Sequence, residues 1–342
     1  MRSRTLARIA IALPTLLVIW AAIFALLEAA PGDPMAELPA TIPAEVREAM
    51  REALGLGQAA PLRFALWLEQ MLLIEPAVAI DALLGTSLAA GEARILSWQT
   101  RGPVMALIAQ RLPQTLAVMG GAYLIGTLAA IWLGVASARR RRGALDRAGA
   151  VVASLGYALP PFFTAAVLIY VFGISLGWTP TVYDTTLDVT DWASFGAQMR
   201  QMILPIAVLS LQTTAQITRY MRAAMLDTLE RDHIRAARAH GLPERRVIWH
   251  RALRNSLVPV VPVIALGAPQ IFAGAIITEA IFGVNGVGQL LVTSLRQADL
   301  PTVQTIAALA ALAIVLANLA SDIVLGWIDP RLAAPETAPR NA

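Results

Sequence analysis

Cysteine and lysine are both missing from this chain of 342 residues. The absence of cysteine excludes disulfides, thiolate metal ligands and cysteine nucleophiles. The absence of lysine makes each of the 27 basic residues an arginine, which excludes a P-loop lysine, a Schiff-base lysine and a pyridoxal anchor. Any chemistry that uses ATP must therefore come from a partner protein.

Charged residues are also scarce, at 15% of the chain against 57% hydrophobic residues. A soluble domain has about 25% charged residues, so this composition predicts an integral membrane protein. The formal net charge is +4 at pH 7. An excess of arginine in a membrane protein usually marks cytoplasmic loops, so we expect no nucleic-acid partner.

Histidine occurs only three times, and His233, His240 and His250 all fall within one polar segment. The zinc-type HExxH motif is absent. We therefore expect no catalytic residue, no metal site and no cofactor bound by this chain itself.

Six apolar runs are long enough to cross the roughly 30 Å hydrocarbon core of a bilayer as helices. They are Ile9–Leu27, Thr115–Ala138, Ala148–Leu176, Met202–Thr218, Ser256–Thr278 and Leu300–Ala320. We interpret the first as a retained helix, because Glu28 and Pro31 make the region after it a poor processing site. The predicted fold class is an all-α integral membrane protein of about six transmembrane helices.

The distribution of arginine between these runs predicts the orientation of the chain. Five arginines lie between the second and third runs, namely Arg139, Arg140, Arg141, Arg142 and Arg147. The connection between the fourth and fifth adds Arg231, Arg235, Arg238, Arg245, Arg246, Arg251 and Arg254. The third-to-fourth and fifth-to-sixth connections offer only Arg200 and Arg296. Because cytoplasmic loops collect arginine, both termini are predicted to be cytoplasmic.

The runs also suggest how the chain is divided. The predicted parts are an N-terminal segment with the first transmembrane helix (1–30), an external segment with short helices (31–111), a five-helix core with a cytoplasmic loop at 223–255 (112–330), and a cytoplasmic tail (331–342). In the external segment, the pattern from Thr41 to Gly55 predicts a short surface helix. The apolar run Leu62–Ile74 is expected at the outer membrane interface.

Two features within the runs concern a possible translocation path. Pro160 and Pro161 remove backbone donors from the third run and should kink it, either to line a path or for structural reasons alone. The fourth run carries the polar residues Gln212, Thr213, Thr214 and Gln216. These side chains either face a polar path or form hydrogen bonds between helices.

The connection Asp227–Pro259 is longer than a link between neighbouring helices needs to be. Residues 232–241 favour a short helix rich in alanine and arginine that ends at Gly241. Pro243 and Glu244 suit the start of a second helix. Apolar contacts from that helix are expected of Val247, Ile248, Leu253 and Leu257. The pattern predicts a helix, a glycine turn and a helix, with a basic surface suited to a groove on a soluble partner.

The segment Asp232-His233-Ile234-Arg235-Ala236-Ala237-Arg238-Ala239-His240-Gly241-Leu242 resembles the "EAA" loop of bacterial ABC importer permeases, specifically the dipeptide, oligopeptide and nickel family. Other segments similar to that family are Ala30-Pro31-Gly32-Asp33-Pro34, Arg251 to Pro259, Glu279-Ala280-Ile281-Phe282 with Gly286 and Gly288, Asp299-Leu300-Pro301 and Asp329-Pro330-Arg331. Arg235 stands where the general motif has glutamate, His240 replaces a basic residue, and His250 and Arg251 are exchanged in order. The long external segment resembles the first, B-type, of the two permeases that such systems pair.

The resemblance implies a type I ABC importer permease fold, in which the loop fits a cleft on an ATPase and couples nucleotide-driven closure to the transmembrane helices. The coupling residues it implies are Asp232, Arg235, Ala236, Ala237, Arg238, Gly241, Leu242, Arg254 and Asn255. Gly241 would be the hinge, since a tight turn between helices favours a residue without a Cβ. The possible path residues are Pro160, Gln212, Thr213 and Gln216.

The resemblance also implies the partners of the chain. These are a second homologous permease, two ABC ATPases that carry ATP and magnesium, and an extracytoplasmic solute-binding protein, all at the lipid bilayer of the bacterial inner membrane. Peptide is the expected cargo, with nickel, opines, glycosides or another small solute as alternatives.

A membrane transporter outside the ABC class and a receptor are the alternative functions. Coupled transporters usually place carboxylates at membrane depth, whereas the runs here contain almost no ionisable residue. Asp322, near the end of the sixth run, is the main exception, and its position suits the cytoplasmic interface. A receptor would have no need of a coupling loop.

Overall fold

A computed structural model of the protein describes residues 2–29, 43, 45, 57–267 and 271–328. The regular elements in those ranges are helices, which confirms the all-α class. They are α1 (Arg2–Glu28), α2 (Ala60–Glu69), α3 (Glu75–Leu84), α4 (Val104–Arg139), α5 (Ala144–Ala158), α6 (Pro161–Leu168), α7 (Trp192–Leu229), α8 (Asp232–Ala239), α9 (Glu244–Arg246), α10 (Leu253–Leu257), α11 (Val261–Gly267), α12 (Ile271–Phe282), α13 (Val287–Arg296) and α14 (Leu300–Ile328). The π-helical segments are Gln70–Ile74, Ile169–Ser175 and Val247–Ala252.

Three helical stretches are long and apolar enough to cross a membrane, namely Ala10–Glu28, Val104–Arg139 and Leu300–Ser321. Two further spans are possible as bent pairs, Ala144–Ala158 with Pro161–Ser175 and Ala275–Phe282 with Val287–Arg296. Length and composition therefore give three to five spans in the described residues, where the sequence predicts about six. The fourth predicted run lies inside the 38-residue helix α7, which is not among these candidates, and the fifth is interrupted.

The fifth predicted run is not one continuous helix. Residues 256–278 are divided among α10, α11 and α12, and the next short helix, α13, follows a bend of 77°. Pro259 and Pro262 explain the first interruption, because proline removes a backbone donor and clashes with the preceding turn.

The predicted kink at Pro160 and Pro161 is confirmed, and it divides the run into two separate helices. Helix α5 ends at Ala158, α6 begins at Pro161, and the two axes differ by 113°. Pro160 is extended, with φ −61° and ψ 145°, which places Pro161 at the first helical position, where its missing N–H costs nothing.

The surface helix predicted between Thr41 and Gly55 lies outside the described residues, apart from the single positions 43 and 45. The run Leu62–Ile74 lies in a longer helical stretch that continues from α2 through a π-helical segment to Leu84. Gly85 ends this stretch in the left-handed region, with φ 68°.

The chain divides into two compact units. In one, formed by 11–113 and 290–312, Trp20 is buried and donates its indole N–H to the carbonyl of Ala308 at 3.0 Å. Its ring packs edge-on against Trp67, and Asp299 accepts hydrogen bonds from the hydroxyl and backbone N–H groups of Ser97 and Trp98. Aromatic packing and this buried carboxylate thus hold the unit together.

The other unit contains residues 114–289 and has two apolar clusters. One joins α4, α6, α7 and α12, and the second joins α4 and α7 to the loop after α7. Close approach of α4 and α7 depends on glycine, because a Cβ at Gly126 would lie 2.8 Å from the carbonyl oxygen of Ser210, and one at Gly134 would lie 2.7 Å from the Cβ of Met221. Small residues of this kind allow membrane helices to pack backbone to backbone.

Candidate functional site

The loop after α7 has the predicted helix–turn–helix form. Helix α8 ends at Ala239, Gly241 forms the turn, and the second helical stretch runs from Glu244 through a π-helical segment to Leu257. Pro243 directly precedes the second stretch with an extended backbone. The polar loop is therefore two short helices in tandem.

The turn at Gly241 is a Schellman motif. The N–H of Leu242 donates to the carbonyl of Ala237 at 3.3 Å, and the N–H of Gly241 donates to the carbonyl of Arg238 at 2.9 Å. Gly241 has φ 75°, a left-handed conformation in which a Cβ is unfavourable. The space around Gly241 is open, so the requirement for glycine is set by the backbone conformation alone.

An ion pair spans the turn. Arg238 donates from Nη2 to Oε1 of Glu244 at 2.8 Å and from Nε to Oε2 at 3.2 Å. This pairing lowers the pKa of Glu244 from its ordinary value and raises the pKa of Arg238. Both side chains are about half exposed, so the pair fixes the geometry of the turn more than it stabilises the fold.

Buried side chains attach the loop to the membrane helices. Ile234 of α8 is fully buried, as is Val247, and Ile248 is 2% exposed. They belong to one cluster with residues of α4 and α7, including Ala130, Ile217, Met221 and Met225, and Leu253 and Leu257 pack against it. The apolar contacts predicted for this stretch are therefore confirmed. The loop is therefore packed directly against both helices.

Polar contacts tie the second helix to its neighbours. The amide Nδ2 of Asn255 lies 3.0 Å from Nε2 of His233, which links the second helix to α8. The hydroxyl of Ser256 is buried and donates to the hydroxyl of Thr228 at 2.8 Å, which links α10 to α7. The two short helices are thus held to each other and to α7.

The residues that the sequence assigned to coupling come together on this loop. Asp232, Arg235, Ala236, Arg238, Gly241, Arg254 and Asn255 are exposed, and Ala237 and Leu242 are half-buried. Asp232 and Arg235 form an exposed ion pair within α8. The outer surface of the loop is therefore polar and accessible, while its inner side is apolar and packed.

The possible path residues do not form one group. Thr213 is buried and donates to the carbonyl of Leu209 in its own helix at 3.2 Å. Thr214 donates to the carbonyl of Gly126 at 3.1 Å, a hydrogen bond between α7 and α4. Gln212 is half-buried, while Gln216 and Pro160 are exposed. Of the two interpretations of the polar run, bonding between helices applies to Thr214.

Comparison with known protein families identifies the chain. The family described as "Binding-protein-dependent transport system inner membrane component" matches residues 126–334, and the N-terminal family of the same transport-system membrane components matches residues 1–119. The chain belongs to this family. It is an inner-membrane permease component, as the sequence predicted.

Relatives of this permease cover nearly its whole length. It is 34% identical over 326 residues to the "Oligopeptide transport system permease protein AppB" of Bacillus subtilis, which covers 95% of this chain and 97% of the relative. It is 30% identical over 327 residues to the "Dipeptide transport system permease protein DppB" of Lactococcus lactis, with 96% and 98% covered. A chain from a solved structure of the MetNI methionine ABC transporter superposes with a TM-score of 0.52 at 17% identity, over 66% of this permease and 97% of that chain. That likeness shows the type I importer fold.

Sequence reasoning missed a buried carboxylate in the permease, that of Glu279 in α12. Glu279 is fully buried, and its Oε2 accepts from the backbone N–H groups of Gly288 at 2.7 Å and Gln289 at 3.3 Å. Glu279 lies one residue beyond the fifth predicted run, so the expectation of almost no ionisable residue within the runs did not include it, although it belongs to one of the bent pairs long enough to span. The sequence feature that could have indicated this role is the position of Glu279 in the same family-like segment as Gly286 and Gly288. The side chain of Asp322 lies outside what the structure describes.

A second missed feature is the ion pair between Asp146 of α5 and Arg222 of α7. The guanidinium donates from Nε to Oδ1 at 2.5 Å and from Nη2 to Oδ2 at 2.9 Å, and the backbone N–H of Arg142 donates to Oδ2 at 2.8 Å. Both residues lie near arginine-rich loops and resemble ordinary topology charges in the sequence, so their pairing depends on the tertiary structure.

The catalytic motif Gly-x-Ser-x-Gly is matched by the sequence but not by the local structure. Gly173-Ile174-Ser175-Leu176-Gly177 reads Gly-x-Ser-x-Gly, but Ser175 is the last residue of the π-helical segment after α6. A nucleophile elbow requires a sharp turn from a strand into a helix. The match therefore does not alter the assignment of the chain as a permease component.

Proposed function

We propose that this permease is a subunit of an ABC importer that carries peptides across the inner membrane. The names of relatives that match along almost the full chain support peptide as the cargo, since they include oligopeptide and dipeptide transport permeases. Nickel, an opine, a glycoside or another small solute is the alternative cargo. Among the described residues, no group of three or more histidine, cysteine or acidic side chains is placed to hold a metal ion.

The observation that carries the proposal is the anchored turn at Gly241. Its outer surface presents Asp232, Arg235 and Arg254 to solvent, while Ile234 and Val247 are buried against membrane helices. Such an element transmits force in both directions, because a partner that moves the outer surface must move α4 and α7 with it.

The partners follow from this role. Two ABC ATPases would bind ATP and magnesium and contact the coupling loop, a second homologous permease would complete the membrane domain, and an extracytoplasmic binding protein would deliver the cargo. The family description names binding-protein-dependent transport, which supports the last of these. The permease itself would perform no catalysis, and the lack of lysine supports ATP binding by other subunits.

The path through the membrane would involve exposed polar positions of this permease. Gln216 of α7 and Pro160, at the break between α5 and α6, are exposed, and Gln212 is half-buried. A glutamine amide facing lipid is costly, so a polar cavity or the second permease is the favoured environment for Gln216. The hydroxyl of Thr213 donates a hydrogen bond within its own helix, so Thr213 would contribute to packing rather than contact the cargo.

The test is ATP-dependent uptake of labelled dipeptides and oligopeptides into proteoliposomes that hold the full complex. Gly241→Pro should abolish uptake with the complex still assembled, because proline cannot adopt φ 75°. Gly177→Pro is the matched control, since Gly177 also has a positive φ, 63°, and open space around it but lies outside the coupling loop. Uptake lost equally in both variants, or retained in Gly241→Pro, would contradict the coupling role. Stimulation of ATPase activity by another solute, without peptide uptake, would contradict peptide as the cargo.

A further inference from the structure

A cleft of about 560 Å³ lies between α5 and α7, beside the arginine-rich turn that joins α4 to α5. Four arginines line it, namely Arg142, Arg147, Arg219 and Arg222. Its wall on α5 is made of small residues, Gly149, Ala150 and Ala153. The cleft belongs to neither the coupling loop nor the possible path residues.

The charge of this cleft is not balanced by its own residues. Within the described part of the chain, Asp146 is the only acidic residue lining it, and Arg222 already pairs with both of its oxygens. Four arginines and one carboxylate leave three positive charges. The guanidinium of Arg219 lies 4.6 Å from the centre of the Tyr157 ring, a cation–π contact that holds its position without neutralising its charge.

An unpaired hydroxyl in the same cleft points independently to a ligand. Thr218 is 2% exposed, and its Oγ1 has no hydrogen-bond partner within the described residues. Thr218 lines the cleft together with the hydroxyl-bearing Ser154. A buried hydroxyl without a partner is costly, so an acceptor atom of a ligand would remove that cost.

An anion with several acceptor oxygens meets both requirements. The planar guanidinium of an arginine can donate two parallel hydrogen bonds to two oxygens of one phosphate. A further phosphate oxygen can accept a hydrogen bond from a hydroxyl. We propose that this cleft binds a phosphate group. Arg147 and Arg219 would supply the charge that Asp146 does not neutralise, and Thr218 would donate the remaining hydrogen bond.

The surroundings favour an anionic phospholipid over free phosphate as the source of that group. The cleft adjoins the turn containing Arg139 to Arg142, which the arginine distribution places at the cytoplasmic surface. Val151 and Leu155, further along α5, are exposed at 55% and 50%, and they offer apolar surface to acyl chains. Basic pockets between helices at the cytoplasmic side are suited to anionic headgroups.

Native mass spectrometry of the full importer complex would test the site, with phosphatidylglycerol and phosphatidylcholine of the same acyl chains as probes and inorganic phosphate as competitor. Arg147→Gln/Arg219→Gln should weaken phosphatidylglycerol binding roughly tenfold or more, since these two side chains line the cleft and a lost hydrogen bond between charged groups costs about tenfold. Arg140→Gln/Arg141→Gln removes the same charge from the adjoining turn but not from the lining of the cleft, so it should have little effect. Thr218→Val keeps charge and shape and should weaken binding about fivefold.

Selective binding of phosphatidylglycerol that resists inorganic phosphate would support the site with lipid as its source. Displacement by millimolar inorganic phosphate, with the same dependence on Arg147 and Arg219, would support the site with a soluble phosphate as its source. Equal binding of both lipids, or equal losses in the two double variants, would overturn the proposal. An unchanged affinity for phosphatidylglycerol in Thr218→Val would overturn the assigned hydrogen bond. A higher thermal stability of this variant without lipid would confirm that it is folded.

Discussion

The carboxylate of Glu279 accepts the backbone N–H of Gly288 at 2.7 Å across the bend between α12 and α13. This hydrogen bond satisfies a backbone donor at the start of α13. A Cβ at Gly288 would lie 2.6 Å from the Cα of Ile276 and 2.9 Å from Oε2 of Glu279. The bend therefore depends on a carboxyl side chain from one helix and a glycine in the next.

Substitution of Gly288 by alanine should destabilise the permease. The added methyl group would overlap the backbone of Ile276, which cannot move without displacing α12, and overpacking of this kind costs about 1–3 kcal/mol. Thermal unfolding of the purified complex should show a lower midpoint. Gly120→Ala is the control, because Gly120 lies inside α4 with open space around it and alanine favours a helix there. Equal midpoints in the two variants would contradict the close packing.

Glu279→Gln and Glu279→Ala should differ. Glutamine retains an oxygen that can accept from the N–H of Gly288. Alanine leaves that N–H without an acceptor and creates a cavity, at a cost of about 2 kcal/mol or more in stability. Glutamine also preserves the volume of the side chain, so it leaves no cavity. Uptake and thermal stability should be near those of the parent in Glu279→Gln and lower in Glu279→Ala. If both variants lost activity equally, the negative charge rather than the acceptor would be required.

Truncation of Ile234 should uncouple the loop from the membrane helices. Ile234→Ala removes a fully buried side chain, with an expected loss of about 2–5 kcal/mol of packing. We expect the number of peptides moved per ATP hydrolysed to fall, because the partner would move the loop with less displacement of α7. Ile203→Ala is the control with the same substitution at a position of α7 that is 52% exposed. A ratio that falls equally in both variants would contradict the role of this anchor.

The Arg238–Glu244 pair predicts a specific pH dependence. The guanidinium lowers the pKa of Glu244, so the stabilisation is fully present above the ordinary glutamate value and is lost as the pH falls through the lowered pKa. Glu244→Gln should cost less than about 1 kcal/mol at pH 7, because both side chains are about half exposed. The difference in unfolding midpoint between parent and variant should disappear in acid and stay constant from pH 6 to 8. A difference that persists in acid would show that the pair is not its cause.

Local patterns explain why the helix–turn–helix after α7 was predictable. The glycine after an alanine- and arginine-rich stretch and the proline before Glu244 act within a few residues, and the structure has the helix–turn–helix that they indicate. The break at Pro160 and Pro161 was predictable for the same reason, since a proline pair interrupts a helix in any context.

Features formed across the fold were not predictable in this way. The role of Glu279 depends on the bend after α12 that brings the backbone of Gly288 to its carboxylate, and the pairing of Asp146 with Arg222 depends on α5 packing against α7. In the sequence, the residues of each of these contacts are separated by bends or long helices. The fifth predicted run failed as one helix because hydropathy records apolar length but not the interruptions that proline and tertiary packing impose.

The most direct test of the central claim is a cross-link between the loop and a partner ATPase. Because the permease has no cysteine, Ala236→Cys introduces a single thiol on the exposed surface of α8. We predict that a short thiol–thiol cross-linker joins this thiol to a single-cysteine variant of the ATPase in the assembled complex, with a yield that changes with ATP. Ala193→Cys, also exposed but at the other end of α7, should give no such product. Absence of the product from Ala236→Cys in an assembled and active complex, or equal yields from both positions, would contradict the assignment of this loop as the coupling element.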